Sequence, residues 1–380
     1  MKIMFSAGEA SGDVHGENIA RAIKALEPSA QLIGFGGSRM EKAGVRLYKN
    51  FADYSVMGVW EVLINLRRLY KLLAGLTDFM RREKPDMLVL IDYPDFNWRL
   101  AKKAKALGIP VFSYIPPSAW AWRKGRAKSC ARLADEFIAI FPHELPVYQA
   151  AGAKISFVGN PLVDAVRAEM PREEARQYFK MPADKTVILL LPGSRRQEIE
   201  LLLPYMLAGA KKLLAERPAT VFYLPVADTV SRERIEELIA AAGVPVTLVT
   251  EKRYSLMAAA DAAMATSGTV VMEAAFLNLP CVVLYRLSPV SYAIGKLLVH
   301  VDNFSLPNII MNESFQRELL QDEVTAENIA AELQKLYPGE EHRREVLAKL
   351  KTACEKLGPP GASERVAQRI LKAAQEFAAK

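Results

Sequence analysis

The 380-residue chain is poor in the residue types that build metal sites and disulfide frameworks. Its three cysteines, Cys130, Cys281 and Cys354, are far apart and form no Cys-x-x-Cys pair, so we expect a reducing compartment without disulfides. The four histidines are equally scattered, which argues against a zinc site. No Asp-x-Asp motif occurs, so no metal-dependent diphosphate site of that type and no bound metal is expected.

Long apolar runs and a dinucleotide fingerprint are also missing. No run approaches the roughly 18 apolar residues that a transmembrane helix needs. The first predicted strand starts at Lys2, which leaves no room for a signal peptide. Gly8, Gly12 and Gly16 are spaced four apart and do not fit G-x-G-x-x-G. What is present is a globular composition with a net charge of +7, which favours an anionic partner: nucleic acid, a phosphorylated ligand or an anionic membrane.

Strand and helix patterns alternate along both halves of the chain. Strands are predicted at 2–6, 31–35, 87–91, 110–114, 136–141 and 155–158, and again at 186–191, 220–224, 246–249, 262–265 and 281–284. Strands separated by helical patterns indicate βαβ units and parallel sheets. We therefore predict an α/β protein of two Rossmann-like domains that face a central cleft.

The predicted boundaries follow from changes in composition. The first domain covers 1–168, a polar stretch with two prolines makes 169–184 a linker, and the second domain covers 185–357. Residues 358–380 form a last helix after Gly-Pro-Pro-Gly. This helix either returns to the first domain or is exchanged with a second subunit.

The stretch 187–195, Val-Ile-Leu-Leu-Leu-Pro-Gly-Ser-Arg, indicates a buried strand that runs through a glycine turn into a helix. Such a turn places free backbone N–H groups and the Arg195 guanidinium at the carboxyl edge of a sheet, where anionic ligands bind. Arginine also binds phosphate through two hydrogen bonds. An ordinary strand-to-helix connection with a surface arginine is the alternative.

A second junction of this kind spans 266–273 and offers hydroxyls and free N–H groups to a diphosphate. Thr269 and Glu273 are four residues apart, so they share one helix face, where a carboxylate is well placed for ribose hydroxyls. The alternative is a capped helix with Glu273 on the solvated surface. Pairing with 192–195 on a neighbouring strand favours the phosphate site.

The first half of the chain carries a polar turn at 7–13, Ala-Gly-Glu-Ala-Ser-Gly-Asp, directly after the first strand. Its candidate ligand contacts are Glu9, Ser11 and Asp13. A turn in which Asp13 only caps the following helix is equally compatible with the sequence.

Asp92 ends the predicted strand 87–91, where a carboxylate is placed to accept a proton from an acceptor hydroxyl. A turn-forming aspartate is the alternative. Asp95, two residues before Asn97, is a candidate cap of the next helix. Further on, Trp120 and Trp122 lie in a loop, either as a wall for a sugar or acyl chain or as a plug of the core.

The helix predicted over 57–76 is apolar over most of its surface, with basic residues on the remainder. Basic residues beside a Trp-containing apolar face suit a membrane interface. A buried packing helix with a narrow solvated stripe is the alternative. The residues predicted to associate with a membrane are Val59, Trp60, Leu63, Arg67, Arg68, Leu69, Leu72 and Leu73.

In order and spacing, these motifs resemble the lipid-A-disaccharide synthase family, inverting glycosyltransferases of the GT-B fold, over essentially the full length. The matching segments are 7–13, 56–58 with the apolar stretch after it, 91–97, 120–123, 157–159, 191–195, 267–273 and 305–308. Two positions depart from the family pattern. Asn160 stands where the family usually has His, and we interpret that His as a positioning donor that Asn partly replaces. Pro116 stands where Ser is common.

The resemblance implies that UDP-2,3-diacylglucosamine donates its sugar to 2,3-diacylglucosamine 1-phosphate (lipid X). The products are a β-1,6-linked disaccharide 1-phosphate and UDP, and no cofactor takes part. Asp92 falls on the catalytic acidic position, as general base, and Arg195 on the arginine expected at the diphosphate. The implied UDP-sugar contacts are Ser194, Arg195, Ser267, Gly268, Thr269, Glu273 and Asn308, and the acceptor contacts Glu9, Ser11, Asp13, Asp95, Trp120, Trp122 and Asn160.

The resemblance also implies a cytoplasmic protein, peripheral on the anionic inner face of the inner membrane, with a homodimer through exchange of the last helix left open. Two other functions compete. A UDP-N-acetylglucosamine 2-epimerase shares the fold expectation but needs no lipid-facing segment. A nucleic-acid or nucleotide-binding regulator is suggested by charge alone, and the wide spread of Lys and Arg argues against it.

Overall fold

The computed structural model describes residues 1–54, 59–119, 125–227, 229–288, 292 and 302–378, and within these the side chains except at 53–66. The chain divides into two units, Met1–Pro161 with Gly358–Lys380, and Leu162–Leu357. Each unit contains one parallel sheet with helices, so the predicted α/β class is confirmed. None of the described helices is long and apolar enough to cross a bilayer.

Unit 1 is built on a seven-stranded parallel sheet of order β3-β2-β1-β4-β5-β6-β7. Its central strand, Met-Leu-Val-Leu-Ile, is buried along its whole length, as expected for a parallel sheet covered on both faces. The strands are β1 (Lys2–Ala7), β2 (Gln31–Gly36), β3 (Arg46–Asn50), β4 (Met87–Ile91), β5 (Val111–Tyr114), β6 (Glu136–Ala139) and β7 (Ile155–Phe157). The helices are α1 (Ala10–Leu26), α2 (Ser38–Lys42), α3 (Val59–Glu83), α4 (Pro94–Ala106), α5 (Gly125–Ala131) and α6 (Leu145–Ala150).

Unit 2 has a six-stranded parallel sheet of order β10-β9-β8-β11-β12-β13. Its strands are β8 (Thr186–Leu191), β9 (Thr220–Pro225), β10 (Val246–Val249), β11 (Ala262–Thr266), β12 (Cys281–Tyr285) and β13 (Glu318–Leu320). The described helices, numbered onward, are α7 (Leu162–Ala165), α8 (Arg172–Tyr178), α9 (Arg196–Glu216), α10 (Arg232–Ala242), α11 (Arg253–Ala259), α12 (Thr269–Phe276), α13 (Leu306–Met311), α14 (Ala326–Gln334) and α15 (Glu341–Glu355).

The last helix, α16 (Ala362–Ala378), returns to unit 1 and packs on α1, as one of the two predicted placements requires. Its buried Val366 and Ile370 join the core beneath that helix. Arg369 forms an ion pair with Glu136, a buried carboxylate at the start of β6. A buried charge needs an oppositely charged partner, so this ion pair holds the helix in place together with its apolar contacts. Exchange of α16 between subunits stays a prediction.

The stretch 169–184 differs from the predicted linker because it is part of unit 2. Within it, α8 packs against α11 and places Arg172 and Arg176 on Asp261, at 2.6 and 3.4 Å. Asp261 also accepts a hydrogen bond from the backbone N–H of Val187, the second residue of β8. Two of the charges that suggested a solvated linker are therefore paired with a buried carboxylate of unit 2.

Candidate active site

Asp92 follows β4 at the carboxyl edge of the first sheet, in a turn of two consecutive left-handed residues. The φ angle is +49° at Asp92 and +51° at Tyr93. Left-handed backbone costs a non-glycine residue roughly 1–2 kcal/mol. Such strain persists where the surroundings fix the backbone, and it is concentrated at functional sites.

A buried hydrogen-bond network fixes this turn. The Asn97 side-chain amide donates to the carbonyl oxygens of Asp92 at 2.6 Å and of Ser6 at 3.1 Å. The Ser6 hydroxyl donates in turn to Oδ1 of Asn97 at 2.6 Å. Both side chains are buried, so the network ties the ends of β1 and β4 together. The backbone that carries Asp92 is thus organised within unit 1 itself.

The Asp92 carboxyl group is half-buried beside this network. Burial raises its pKa, and a hydrogen bond from the Tyr93 backbone partly opposes the shift. A partly desolvated carboxylate binds a proton more readily than one in water, which is what a general base requires. Position, backbone fixation and environment all favour the predicted role of Asp92.

Of the three polar residues in the 7–13 turn, Glu9 and Ser11 are exposed at the start of α1. The predicted acceptor contact for Asp13 stays a prediction, and the structure gives its carboxylate a structural task. Its two carboxylate oxygens accept hydrogen bonds from the backbone N–H groups of Gly37, Arg39 and Met40, at 2.8, 3.1 and 3.1 Å. Asp13 is buried and caps α2, a neighbour in space, and not its own helix.

Asp95 does not occupy the cap position of α4, which Tyr93 holds; it lies in the first turn, where negative charge is favourable. Its exposed carboxylate pairs with Arg126 at 2.8 Å, beside a cavity of about 140 Å³. The two tryptophans of the predicted wall, Trp120 and Trp122, lie outside the described residues.

The predicted acceptor contact for Asn160 also stays a prediction. Its side chain is 0% exposed, and its amide donates to the carbonyl oxygen of Ile140 at 2.8 Å. This hydrogen bond joins the segments that follow β6 and β7. A side chain that is completely buried and bonded in this way is structural in the chain as it stands.

The helix predicted to lie on a membrane corresponds to α3, which runs from Val59 to Glu83. The side chains of Val59, Trp60 and Leu63 lie outside the described residues. Arg67 and Arg68 are exposed, and Leu69 is half-buried.

The predicted membrane contacts of Leu72 and Leu73 are wrong, because these side chains are only 2% and 7% exposed. They pack in the core of unit 1 with Leu76 and Phe79, so they have no surface to offer a bilayer. From Leu72 onward, the alternative of a core-packing helix therefore holds.

In unit 2, Arg195 occupies the cap position between β8 and α9, and its side chain is 82% exposed. The backbone N–H groups of Ser194 and Arg195 donate to Oε2 of Glu198, at 3.0 and 3.2 Å. The Arg195 guanidinium binds Oε1 of the same carboxylate at 3.0 Å. Two amides and a guanidinium therefore converge on one carboxylate, in an arrangement suited to a phosphate group.

The second predicted phosphate segment leaves the same edge of the sheet from the next strand. β11 pairs with β8 in parallel, with Ala265 opposite Leu191, so the segments 192–195 and 267–269 follow adjacent strand ends. Gly268 and Thr269 are exposed at the start of α12. The Ser267 hydroxyl donates to the carbonyl oxygen of Phe304 at 2.7 Å, which anchors this loop.

Glu273 is buried, so its alternative placement on the solvated surface is wrong. Its Oε1 accepts hydrogen bonds from Arg253 at 2.9 Å and from the Tyr254 hydroxyl at 3.0 Å. Sequence reasoning missed these two residues, since they lie on α11, about twenty positions before their partner. They hold the carboxylate at the carboxyl edge of the second sheet.

The predicted donor contact for Asn308 stays a prediction, and its side chain, like that of Asn160, has structural partners. The side chain is buried, its amide donates to Gln316 and Glu318 at 2.8 and 2.7 Å, and its oxygen accepts from Gln316 at 3.0 Å. Both of its N–H groups and its oxygen form hydrogen bonds that stabilise the chain around α13.

A family model described as lipid-A-disaccharide synthetase matches residues 3–370 of the chain. The lipid-A-disaccharide synthase of Geobacter metallireducens is 42% identical over 371 residues, 98% of this chain and 97% of that protein. The solved UDP-GlcNAc 2-epimerase from Neisseria meningitidis bound to UDP-GlcNAc has a TM-score of 0.65 at 16% identity, over 98% of this chain and 100% of that chain.

A ugt transferase from Siraitia grosvenorii, solved in complex with UDP, also gives a TM-score of 0.65, at 12% identity over 98% of this chain and 99% of that chain. At such low identities, the two structural similarities show the fold alone. The family model covers nearly the whole chain, and the bacterial relative has nearly the same length. The chain therefore belongs to the lipid-A-disaccharide synthase family, the GT-B glycosyltransferases of lipid A biosynthesis.

Proposed function

We propose that the chain transfers the sugar of UDP-2,3-diacylglucosamine to the 6-hydroxyl of lipid X, with Asp92 as general base and Arg195 at the leaving diphosphate. The observation that carries this proposal is the fixed, half-buried Asp92 turn at the carboxyl edge of β4. Family membership supplies the two substrates, and the structure supplies a residue with the chemistry that the acceptor needs.

The reaction is a single in-line displacement that inverts the anomeric carbon. Asp92 accepts the proton of the acceptor hydroxyl while the new glycosidic C–O bond forms. The C1–O bond to the diphosphate breaks, and its electron pair leaves on UDP. Orientation of the two substrates and charge stabilisation on the leaving group provide the remaining rate enhancement.

Unit 2 supplies the groups for the UDP half of the donor. The N–H groups of Ser194 and Arg195, with the Arg195 guanidinium, bind diphosphate oxygens in the place that the Glu198 carboxylate takes in the structure. Gly268 and Thr269 offer further N–H groups at the start of α12. Glu273, held through Oε1, presents its other oxygen to ribose hydroxyls.

The test is incubation of the protein with the UDP-diacylglucosamine donor and lipid X, followed by quantification of UDP and disaccharide. The proposal predicts UDP release that depends on the acylated acceptor. Interconversion of UDP-N-acetylglucosamine with its 2-epimer, without an acceptor, would support the epimerase instead. Neither activity, together with salt-sensitive nucleic-acid binding, would support the regulator.

We also propose peripheral binding to the anionic inner face of the inner membrane through the first turns of α3, where Arg67 and Arg68 are exposed. Reversing both charges (Arg67→Glu with Arg68→Glu) should weaken binding to phosphatidylglycerol vesicles, measured by sedimentation, by roughly 30-fold or more, because each basic residue contributes about 1 kcal/mol at such a surface. The matched control reverses Arg81 and Arg82, exposed at the other end of the same helix. Equal losses from both pairs would contradict this location.

A further inference from the structure

A cavity of about 440 Å³ lies at the carboxyl edge of the sheet of unit 2, apart from the residues assigned to UDP. It is lined by α9 and by the segments that directly follow β12 and β13. Leu201, Tyr205 and Leu287 give it apolar and aromatic surface. Pockets for small ligands have volumes of roughly 300–1,000 Å³ and combine such surface with a few polar groups. The cavity therefore has the size and the lining of a ligand site.

The main polar group of this cavity is the guanidinium of Arg286, the first residue after β12. Its Cζ lies 4.2 Å from the centre of the Tyr205 ring, and its Nη1 donates to the carbonyl oxygen of Gln321 at 2.8 Å. Within the described residues no carboxylate forms an ion pair with it, and that carbonyl is its one hydrogen-bond acceptor. Most of its N–H groups are therefore available to an oxygen atom in the cavity.

The loop that carries Arg286 is held in place by Gln321. The side-chain oxygen of Gln321 accepts from the Leu287 backbone N–H at 2.8 Å, and its side-chain nitrogen donates to the Leu287 carbonyl oxygen at 3.2 Å. Gln321 is buried, and its backbone is left-handed, with a φ angle of +51°. Strained backbone of this kind persists where its surroundings fix it, and it is concentrated at functional sites. The arginine is thus positioned before any ligand binds.

The cavity lies toward the face of the sheet opposite Glu273. From β8 the chain moves to β9 on one side, and from β11 it moves to β12 on the other. Because crossover connections are right-handed, the helices of these two connections, α9 and α12, cover opposite faces. The packing agrees: Val271 and Ala274 of α12 share a core cluster with Leu189 of β8, and the buried side chains of α9 lie outside that cluster.

The direction of the donor follows from these positions. With its ribose at Glu273 and its diphosphate at the strand ends 192–195 and 267–269, a UDP-sugar continues toward the face that α9 covers. The cavity begins there, since Leu201 lies within about two helical turns of Arg195. The acylated sugar is therefore the part of the donor that comes nearest to the cavity.

The charges around the cavity favour a neutral polar group over a second phosphate. Two carboxylates line it, Glu200 and Asp322, and Glu200 also accepts two hydrogen bonds from Arg234, at 2.8 and 2.9 Å. Among the described lining residues, Arg286 is the one cation, so a phosphate would meet no excess of positive charge. A carbonyl oxygen needs only a hydrogen-bond donor. An acyl chain attached to that carbonyl matches the apolar and aromatic lining.

We propose that the cavity binds one acyl chain of the UDP-2,3-diacylglucosamine donor, with Arg286 donating to the carbonyl oxygen of its amide or ester. The methylene groups of the chain pack on Leu201, Tyr205 and Leu287. No bond is formed or broken there. The cavity selects an acylated over a free sugar, because apolar surface is removed from water only when a chain is present. This inference rests on the proposed function, which supplies the donor.

The test is calorimetric titration, without acceptor, of a short-chain, water-soluble UDP-2,3-diacylglucosamine and of UDP-glucosamine, which has no acyl groups. The unmodified protein should bind the acylated donor more tightly. Arg286→Met keeps the length of the side chain and removes its donors, so it should weaken binding of the acylated donor roughly 10-fold. Leu201→Trp should weaken it similarly by filling the cavity, with Arg286 in place. Neither variant should change the affinity for UDP-glucosamine.

The matched control is Arg217→Met, at the other end of α9, where an arginine lies 5.8 Å from the centre of the Tyr337 ring. It should bind both ligands as the unmodified protein does. Equal affinity of the unmodified protein for the two ligands would overturn the inference. Acylated-donor binding that neither cavity variant weakens, or an equal loss of UDP-glucosamine binding, would also overturn it.

If Arg286→Met does not fold, Leu201→Trp decides alone, because it leaves the contacts of Arg286 and Gln321 intact. Failure of the proposed transfer appears separately, as absence of UDP release from the unmodified protein with full-length donor and lipid X. The titrations contain no acceptor, so their outcome does not depend on turnover.

Discussion

The two sheets of this protein end in edges of opposite character. At the edge of unit 1, ionisable groups are withdrawn from water: Asp92 is half-buried, and Glu144 and His143 have pKa values shifted by burial. At the edge of unit 2, Arg195 and Thr269 face solvent, and the one buried carboxylate described there, Glu273, is paired with Arg253. Desolvation changes proton affinity, whereas exposed donors bind anions. The two edges thus suit the two proposed roles, proton transfer in unit 1 and diphosphate binding in unit 2.

The largest expected effect is the loss of turnover when the carboxylate at the edge of unit 1 is replaced. Asp92→Asn should lower kcat about 1,000-fold, because general-base groups contribute 10²–10⁴-fold and an amide cannot accept the proton. Steady-state UDP release in the presence of lipid X measures it. Asp86→Asn, at the amino end of the same strand, is the matched control and should retain activity. Near-normal turnover in Asp92→Asn would contradict the proposal that unit 1 supplies the general base.

At the other edge, Arg195→Ala should weaken UDP binding roughly 10- to 100-fold, since a hydrogen bond to a charged group contributes about 1.5–3 kcal/mol. Turnover should fall with it, because the same guanidinium stabilises the leaving group. Arg196→Ala removes a neighbouring arginine that is also exposed, and it should change neither quantity. If both variants bind UDP as tightly as the unmodified protein does, the Arg195 groups that contact Glu198 only cap α9 and do not bind the diphosphate.

The last prediction concerns the stability of unit 1 and not its chemistry. Burial lowers the pKa of His15, which packs edge-on against Tyr114, to about 4. The unfolded state therefore binds a proton that the folded state refuses, and stability is lost as pH falls from 6.5 toward 4, by about 1.4 kcal/mol per pH unit. His15→Phe should remove this component of acid destabilisation in urea titrations at pH 6.5 and 4.5. An unchanged loss of stability between these pH values in His15→Phe would contradict this account.

The sequence predicted most of the fold because buried parallel strands carry a strong local signal. The bounds of β4, β8 and β10 agree with the prediction. β3 and β13 were missed, since edge strands need little apolar sequence: Arg-Leu-Tyr-Lys-Asn is mostly polar, and Glu-Leu-Leu has only three residues. The linker was misread because its charges pair with a residue some 85 positions away, which composition does not reveal.

The candidate site likewise contains residues that the sequence could locate and residues whose surroundings it could not predict. Residues at strand ends, such as Asp92 and Arg195, could be located because the carboxyl edge of a parallel sheet is fixed by topology. The outcomes for Asp13, Asn160 and Asn308 could not be predicted, since each polar group is used by backbone that only the folded chain brings near. Arg286 drew no attention because nothing local marks the cavity that it lines, which three separate segments form.

The central claim is that proton transfer belongs to unit 1 and diphosphate binding to unit 2. The most direct test is calorimetric titration of UDP into Asp92→Asn and Arg195→Ala, alongside the unmodified protein. We expect Asp92→Asn to bind UDP with unchanged affinity despite its lost turnover, and Arg195→Ala to bind it at least 10-fold more weakly, a difference of about 1.4 kcal/mol or more. Lost UDP binding in Asp92→Asn, or unchanged binding in Arg195→Ala, would contradict the division.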